Sequence, residues 1–132
     1  MAFPLDEKFI EQAEAELGVR FPASFRNKMM QMNGGAIHVL DEVFDLLPFY
    51  DTTDKKRIKR TCNSIVHETR QARAYYGLPV RLVLFVSNGC GDSLSFQIME
   101  DSELDPQIYL YRHDDDELQL VASDFATLLA SI

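Results

Sequence analysis

The residues best suited to chemistry lie in the segment FVSNGCGDSLSFQI, residues 85–98. There Cys90 stands between Gly89 and Gly91, and Asp92 follows. A nucleophilic cysteine needs a positive neighbourhood or a positioned histidine, and a nearby carboxylate disfavours the thiolate. A phosphate loop needs a strand, glycines and then a helix, whereas a second strand-like stretch follows here. The segment therefore predicts a strand-to-strand turn rather than a reactive site.

Each residue of this turn has a structural role to fill. Asn88-Gly89 is a strong hairpin signal, because both residues tolerate positive φ. Gly91 offers a second such position, and Asp92 can accept hydrogen bonds from backbone N–H groups of the bend. A second glycine pair, Gly34-Gly35, is predicted to end a helix in a similar turn.

The histidines and cysteines form no recognisable metal or catalytic motif. His38, His67 and His113 are scattered, with neither an H-x-x-x-H spacing nor a pair of cysteines beside them. We therefore predict no catalytic residue, no metal site and no cofactor. Cys62 and Cys90 form no disulfide framework, which indicates a reduced, cytoplasmic protein.

Carboxylates are the densest chemical feature of the chain, whose formal net charge is −8 with a pI near 4.7. This balance argues against binding nucleic acid or an anionic membrane, since phosphate neutralisation needs clustered Lys and Arg. Two interpretations stay open: a surface for a basic protein partner, or carboxylates that only keep the protein solvated. The candidate partner-binding residues are Asp41, Glu42, Asp45, Asp101, Glu103, Asp114, Asp115, Asp116 and Glu117.

These carboxylates cannot all share one spot. Residues 100–105 and 114–117 flank a strand predicted at 107–113, which separates them by roughly 20 Å. They form either two patches, or one patch joined by another acidic segment such as Asp41 to Asp45. Calcium loops alternate their ligands and place a glutamate at the twelfth position, a pattern that 114–117 does not follow.

The basic run of residues 55–60 is the opposite case. Its five Lys and Arg side chains resemble a nucleic-acid patch, but in an acidic protein at a helix start they favour a solvated helix face.

The periodicity predicts the elements that position these groups. Helices are expected from Asp6, from Pro22, over residues 54–76 as one long helix, and from Ser123. Between them lie short strands, of which 81–87 is apolar on both faces, and the next strand has one dry and one wetter face. This order predicts one α+β domain over residues 1–132, with a mainly antiparallel twisted sheet of about four to six strands packed against helices. We expect neither a signal peptide nor a membrane span.

Three segments together resemble the SUKH superfamily (the Smi/Knr-like domain). FIEQAEAELGVRFPASFRNKMMQMNGG is similar to its opening helices, LVLFVSNGCGDSLSFQI to its strand, Gly-x-Gly-Asp turn and strand, and VASDFATLLASI to its closing helix. Gln97 departs from the family, which often carries Asp there. The resemblance implies the α+β fold described above and no catalytic constellation.

The resemblance also implies a function. Members of this size are mostly bacterial immunity proteins that bind and neutralise a cognate polymorphic toxin, and an acidic example suits a basic toxin such as a nuclease. The alternatives are an intracellular regulator or scaffold that uses the same fold, and a small enzyme that depends on Cys90. Neither the binding face nor the oligomeric state follows from the sequence.

Overall fold

The computed structural model of the protein describes residues 3–39, 42–87, 92–112 and 117–130, without the side chains of 38, 39, 42 and 128–130. These segments contain five helices and six strands, in the order α1, α2, β1, β2, α3, α4, β3, β4, β5, β6, α5. The helices are α1 (Glu7–Leu17), α2 (Ala23–Gln31), α3 (Lys55–Thr61), α4 (Ile65–Tyr75) and α5 (Phe125–Ala130). The strands are β1 (Gly35–Val39), β2 (Glu42–Leu46), β3 (Leu82–Ser87), β4 (Asp92–Ile98), β5 (Leu104–Arg112) and β6 (Glu117–Ala122).

The six strands form one sheet in chain order, and every neighbouring pair is antiparallel. The predicted α+β class and antiparallel sheet are therefore confirmed. β3 lies between β2 and β4, and its residues from Leu82 to Val86 are buried, as expected for an apolar central strand. In the described segments no helix is long and apolar enough to cross a membrane.

The first helix forms where its capping residues predict. The Asp6 carboxylate accepts a hydrogen bond from the Lys8 N–H at 3.0 Å, which satisfies one free donor of the first turn. Gly18 ends the helix in the left-handed region at φ 68°, where glycine carries no Cβ penalty.

The predicted long helix over residues 54–76 is wrong, because the structure has two helices there. α3 ends at Thr61, and Ser64 begins α4 by accepting a hydrogen bond from the His67 N–H. The Ile65 N–H is bonded to the Pro48 carbonyl, outside any helix. The apolar spacing of three and four continues across the break, and so it gave no sign of the new cap. The last helix likewise begins after Asp124, whose carboxylate accepts from the Thr127 N–H, one residue later than predicted.

A cluster of phenylalanines joins the helices to the sheet. The ring of Phe25 on α2 lies with its centroid 5.0–5.8 Å from five other rings, and these belong to Phe21, Phe49, Phe85, Phe96 and Phe125. Since Phe85 and Phe96 stand on β3 and β4 and Phe125 on α5, this cluster fixes α2 and α5 on one face of the sheet. Tilted and edge-to-face ring pairs of this kind stabilise a core beyond the area that they bury.

Where β2 no longer pairs with β3, a side chain of α4 supplies the hydrogen bonds of the β3 backbone. β2 pairs with β3 only at Asp45↔Ser87 and Leu46↔Val86. Further along, the Thr69 hydroxyl of α4 bonds both the N–H and the carbonyl of Leu84 at 3.1 Å. These bonds supply the partners that a buried strand would otherwise lack.

The second face of β4 is not the wetter face that alternation predicts. Ser93 and Ser95 are buried, although they alternate with Leu94 and Phe96. Ser95 lies opposite Tyr109 on β5, and a neighbouring tyrosine can cover a small polar side chain that would be exposed in an isolated strand.

Candidate functional site

One end of the sheet carries carboxylates from three strands, β2, β4 and β6, and an arginine from β5. Asp45 lies opposite Ser87, the last residue of β3, and Asp92 begins β4 one residue before Ser93, the partner of Ser87. Asp92 is paired with Arg112, and Arg112 with Glu117 across β5 and β6. The connections between β1 and β2, between β3 and β4, and between β5 and β6 therefore all leave the sheet at the same end of its strands. We call this end of the strands the acidic end, and we define it by Asp45, Asp92, Arg112 and Glu117.

The sequence concentrates negative charge in the segments that meet at the acidic end. Residues 38–45, 88–92 and 112–117 contain eight carboxylates and one arginine, so they carry a net charge of −7 of the chain's −8 with histidine neutral. The carboxylates are Asp41, Glu42, Asp45, Asp92, Asp114, Asp115, Asp116 and Glu117. Among these, Asp45, Asp92 and Glu117 have side chains that the structure describes, and they lie at the acidic end.

The described members of this group differ in exposure. Asp45 and Glu117 are exposed, whereas Asp92 and Arg112 are half-buried and face each other across the β4–β5 pair. Asp41 and the run Asp114 to Asp116 lie outside the described residues, as does the Glu42 side chain.

The other predicted carboxylates, Asp101 and Glu103, lie at the opposite end of the sheet. They precede β5, whose Leu104 pairs with Ile98 at the far end of β4. There the Arg20 N–H donates to the Ser102 carbonyl at 3.1 Å, and the Leu104 N–H donates to the Arg20 carbonyl at 3.3 Å. We call this the tied end, defined by Arg20 and residues 101–104. The structure thus separates the predicted residues into two patches and brings Asp45 and Glu117 to one edge.

At the tied end the Asp101 carboxylate stabilises the local backbone. Asp101 accepts a hydrogen bond from the Glu103 N–H at 3.2 Å. Beside them, Glu14 accepts from the Phe21 N–H at 2.7 Å and lies 3.7 Å from the Arg26 guanidinium. Asp101 and Glu14 therefore stabilise local structure, which a count of carboxylates in the sequence does not reveal.

The structure describes one of the two predicted glycine turns. Gly34 and Gly35 have φ of 123° and 111° between α2 and β1, a region that residues with a Cβ rarely occupy. Gly89 and Gly91 lie outside the described residues. β3 ends at Ser87 and β4 begins at Asp92, so a strand follows the turn and the helix required by a phosphate loop does not.

A lysine closes the Gly34-Gly35 turn. Lys28 donates through Nζ to the Met32 carbonyl at 2.9 Å and to the Gly34 carbonyl. Partial burial lowers the pKa of Lys28 to about 8, because desolvation penalises the charged amine. The turn that leads into β1 is thereby fixed to the end of α2.

The basic run surrounds an aromatic side chain that sequence reasoning missed. The Arg57 guanidinium lies 4.5 Å from the Phe3 ring centroid, with Arg60 at 5.5 Å and Lys56 at 5.6 Å. Arg57 also bonds Asp54 at 2.6 Å. Three cations on one ring indicate that α3 holds the N-terminal segment, a long-range pairing with no local signal.

The cysteine and histidines give no sign of a reactive group where they are described. Cys62 is exposed and donates weakly to the Lys59 carbonyl, and His67 is exposed beside Glu68. Cys90 and His113 lie outside the described residues, and the His38 side chain is not described. In the remainder, no three His, Cys, Asp or Glu side chains are grouped as metal ligands.

Comparison with known proteins identifies the fold family. A search of curated proteins finds no match to this chain. The family model described as SMI1 / KNR4 family (SUKH-1) matches residues 4–131, from the N-terminal segment through α5. The chain therefore belongs to the SMI1 / KNR4 family (SUKH-1), as the three sequence segments indicated.

Proposed function

We propose that this domain is a non-enzymatic, cytoplasmic immunity protein that binds a cognate bacterial polymorphic toxin and neutralises it by occlusion. Family membership supports a protein-binding domain of the immunity type. The observation that carries the proposal is that strand ends with Asp45, Asp92 and Glu117 lie at the acidic end, and that the sequence of residues 38–45, 88–92 and 112–117 carries a net −7. A nuclease toxin suits this surface, because a protein that binds nucleic acid presents a basic site for phosphates.

The mechanism needs contact rather than chemistry. Carboxylates at the acidic end attract a basic surface over about a Debye length, which speeds encounter. Affinity then rests on apolar and aromatic anchors that become buried beside them. Substrate is excluded because the domain covers the toxin's site in a one-to-one complex.

The test begins with the product of the neighbouring gene, expressed in a catalytically silent form. We expect it to co-purify with this domain at equal stoichiometry, and we expect the active form to lose activity at one equivalent. A product that neither binds nor loses activity would contradict the immunity role and favour a regulator with another partner.

A thiol variant separates binding from catalysis. Cys62→Ser with Cys90→Ser should bind and protect as the natural chain does, since the proposal gives no role to a thiol. Loss of protection with unchanged circular dichroism and unchanged binding would show instead that a thiol performs chemistry.

A further inference from the structure

The three most exposed large hydrophobic side chains of the described residues lie where α4 ends and β3 begins. Val80 is 75% exposed, Tyr75 74% and Tyr76 60%. Tyr75 is the last residue of α4, and Val80 stands two residues before β3. A single exposed apolar side chain is ordinary on a protein surface, but neighbouring ones mark a surface for interaction.

Hydrogen bonds fix the backbone of this segment. The Leu78 N–H donates to the Ala72 carbonyl at 3.1 Å, and the Leu78 side chain is buried. The Arg73 guanidinium donates to the carbonyls of Val80 and Leu82, both at 2.9 Å. These bonds place Val80 beside the last turn of α4. Because the backbone is already ordered, its exposed side chains would bind a partner with a smaller loss of conformational entropy than those of a free loop.

The same segment is positive in an acidic chain. Residues 69–87 contain three arginines and neither Asp, Glu nor Lys, whereas the whole chain carries a net −8. Arg70 and Arg81 are exposed, and neither forms an ion pair with a carboxylate of the described residues. Arg70 donates to the Glu16 carbonyl at 3.4 Å, which leaves its charge uncompensated. Both guanidiniums can therefore bind a carboxylate from outside.

Two of the arginines lie close enough to act on each other. Arg70 and Arg73 are one helical turn apart on α4. Desolvation and, after it, the positive charge of Arg70 lower the pKa of Arg73. A carboxylate placed beside the two guanidiniums would relieve this repulsion.

The chemistry of these side chains selects an acidic segment of a protein. Tyrosine and arginine carry much of the binding energy at protein interfaces, and guanidiniums bind carboxylates through paired hydrogen bonds. A nucleic acid can also stack on tyrosine, but a chain of net charge −8 repels a phosphate backbone and Val80 offers no ring to a base. Pairing of this surface with itself in a second copy would place arginine against arginine.

We propose that Arg70, Tyr75, Val80 and Arg81 form a docking surface for a second protein partner, which binds through a segment that combines carboxylates with apolar side chains. We call this surface the arginine–tyrosine patch. It differs from the acidic end in the sign of its charge and in the residues that form it. The inference therefore goes beyond the proposed function and does not depend on it.

Synthetic peptides titrated into the full chain test the patch at about 150 mM salt, where charges more than about 8 Å apart are largely screened. We expect EEFLEEFLEE to bind and to shift the backbone amide resonances of residues 70–81 the most, whereas KKFLKKFLKK should leave them in place. Arg70→Glu with Arg81→Glu should weaken binding of EEFLEEFLEE by about tenfold. Tyr75→Ala should weaken it by about fivefold.

A matched control separates the patch from the net charge. Lys55→Glu with Lys59→Glu alters two exposed cations of α3, and either double variant takes the net charge from −8 to −12. We expect the α3 variant to bind EEFLEEFLEE within about twofold of the natural chain. Equal weakening by the two double variants, or amide shifts that are largest outside residues 70–81, would overturn the inference.

Three further outcomes would also overturn it. The first is that EEFLEEFLEE does not bind at all. The second is that an oligothymidylate binds the patch more tightly than this peptide, which would identify a nucleic-acid surface. The third is a sedimentation mass that rises with concentration and that Arg70→Glu with Arg81→Glu returns to that of a monomer, since the occupant would then be a second copy. None of these experiments uses the neighbouring-gene product, so their failure leaves the proposed function standing.

Discussion

At the tied end of the sheet Asp101 bonds its own backbone and Arg20 closes the adjoining loop, whereas at the acidic end Asp45 makes no hydrogen bond or ion pair with any described residue. Both ends carry exposed carboxylates. The difference is that Asp101 is bonded to its own backbone, whereas Asp45 stays available to solvent or to a partner. A count of acidic residues in the sequence treats the two groups alike.

The largest expected effect comes from reversing charge at the acidic end. Asp45→Lys with Asp115→Lys should slow association with the neighbouring-gene product by about a hundredfold at low salt, since electrostatic steering supplies factors of 10 to 1,000. Asp101→Lys with Glu103→Lys, the matched reversal at the tied end, should leave association within about threefold of the natural chain. Stopped-flow mixing measures both. Equal slowing by the two pairs would erase the distinction between the ends.

Stability should respond in the reverse order. Glu14→Ala leaves the buried N–H of Phe21 without its acceptor, which should lower the free energy of unfolding by about 1–3 kcal/mol. Asp45→Asn should change it by less than about 0.5 kcal/mol, as for an exposed side chain without partners. Urea denaturation gives both values. A larger loss for Asp45→Asn would mean that the acidic end also performs structural work.

Alanine substitutions at Gly34 and Gly18 compare how strongly the backbone is constrained at two turns. Gly34 has φ 123° before β1, and a Cβ there would lie 3.5 Å from the Leu46 carbonyl, whereas Gly18 has φ 68° with open space around it. Gly34→Ala should lower the free energy of unfolding by about 2 kcal/mol and Gly18→Ala by about 1 kcal/mol. The cost is smaller at Gly18 because its backbone lies in the left-handed well, whereas that of Gly34 does not. Thermal or urea unfolding of both variants provides the measurement. If Gly18→Ala costs more, the turn before β1 is less constrained than its dihedral angles indicate.

The last prediction is a pH dependence of stability from Lys28 beside that turn. Its pKa is about 8 in the folded chain against an ordinary 10.5, so between these values the unfolded chain binds more protons and stability rises with pH. Lys28→Met removes the group and should flatten that part of the profile. Urea denaturation between pH 7.5 and 10 checks the slope for both chains. A slope that survives in Lys28→Met must come from another group.

Local signals predicted most of the fold. Asp6, Gly18 and the strand periods act through neighbours in the sequence, and the structure confirms the first helix, the strand at 82–87 and a further strand that begins at Asp92. The break between α3 and α4 was missed although Ser64 is a good N-cap residue, because an unbroken apolar spacing masked it.

Contacts distant in the sequence could not be predicted from one chain. No neighbouring residue in the sequence indicates that Arg20 binds the segment before β5, or that the Thr69 hydroxyl bonds the backbone of β3. The same holds for the cations of α3 that surround the Phe3 ring. The first of these contacts fixes the segment that carries Asp101 and Glu103. The sequence therefore predicted which residues were candidates, but the division into an acidic and a tied end depends on tertiary pairing.

The most direct test of the central claim is the salt dependence of association for Asp114→Asn with Asp115→Asn and Asp116→Asn, against the neighbouring-gene product. If the acidic end steers a basic partner, the triple variant should associate about tenfold more slowly at 20 mM salt, approach the natural rate at 500 mM, and change dissociation little. An association rate at 20 mM salt equal to that of the natural chain would contradict the account, because the run would then be only a solvated turn.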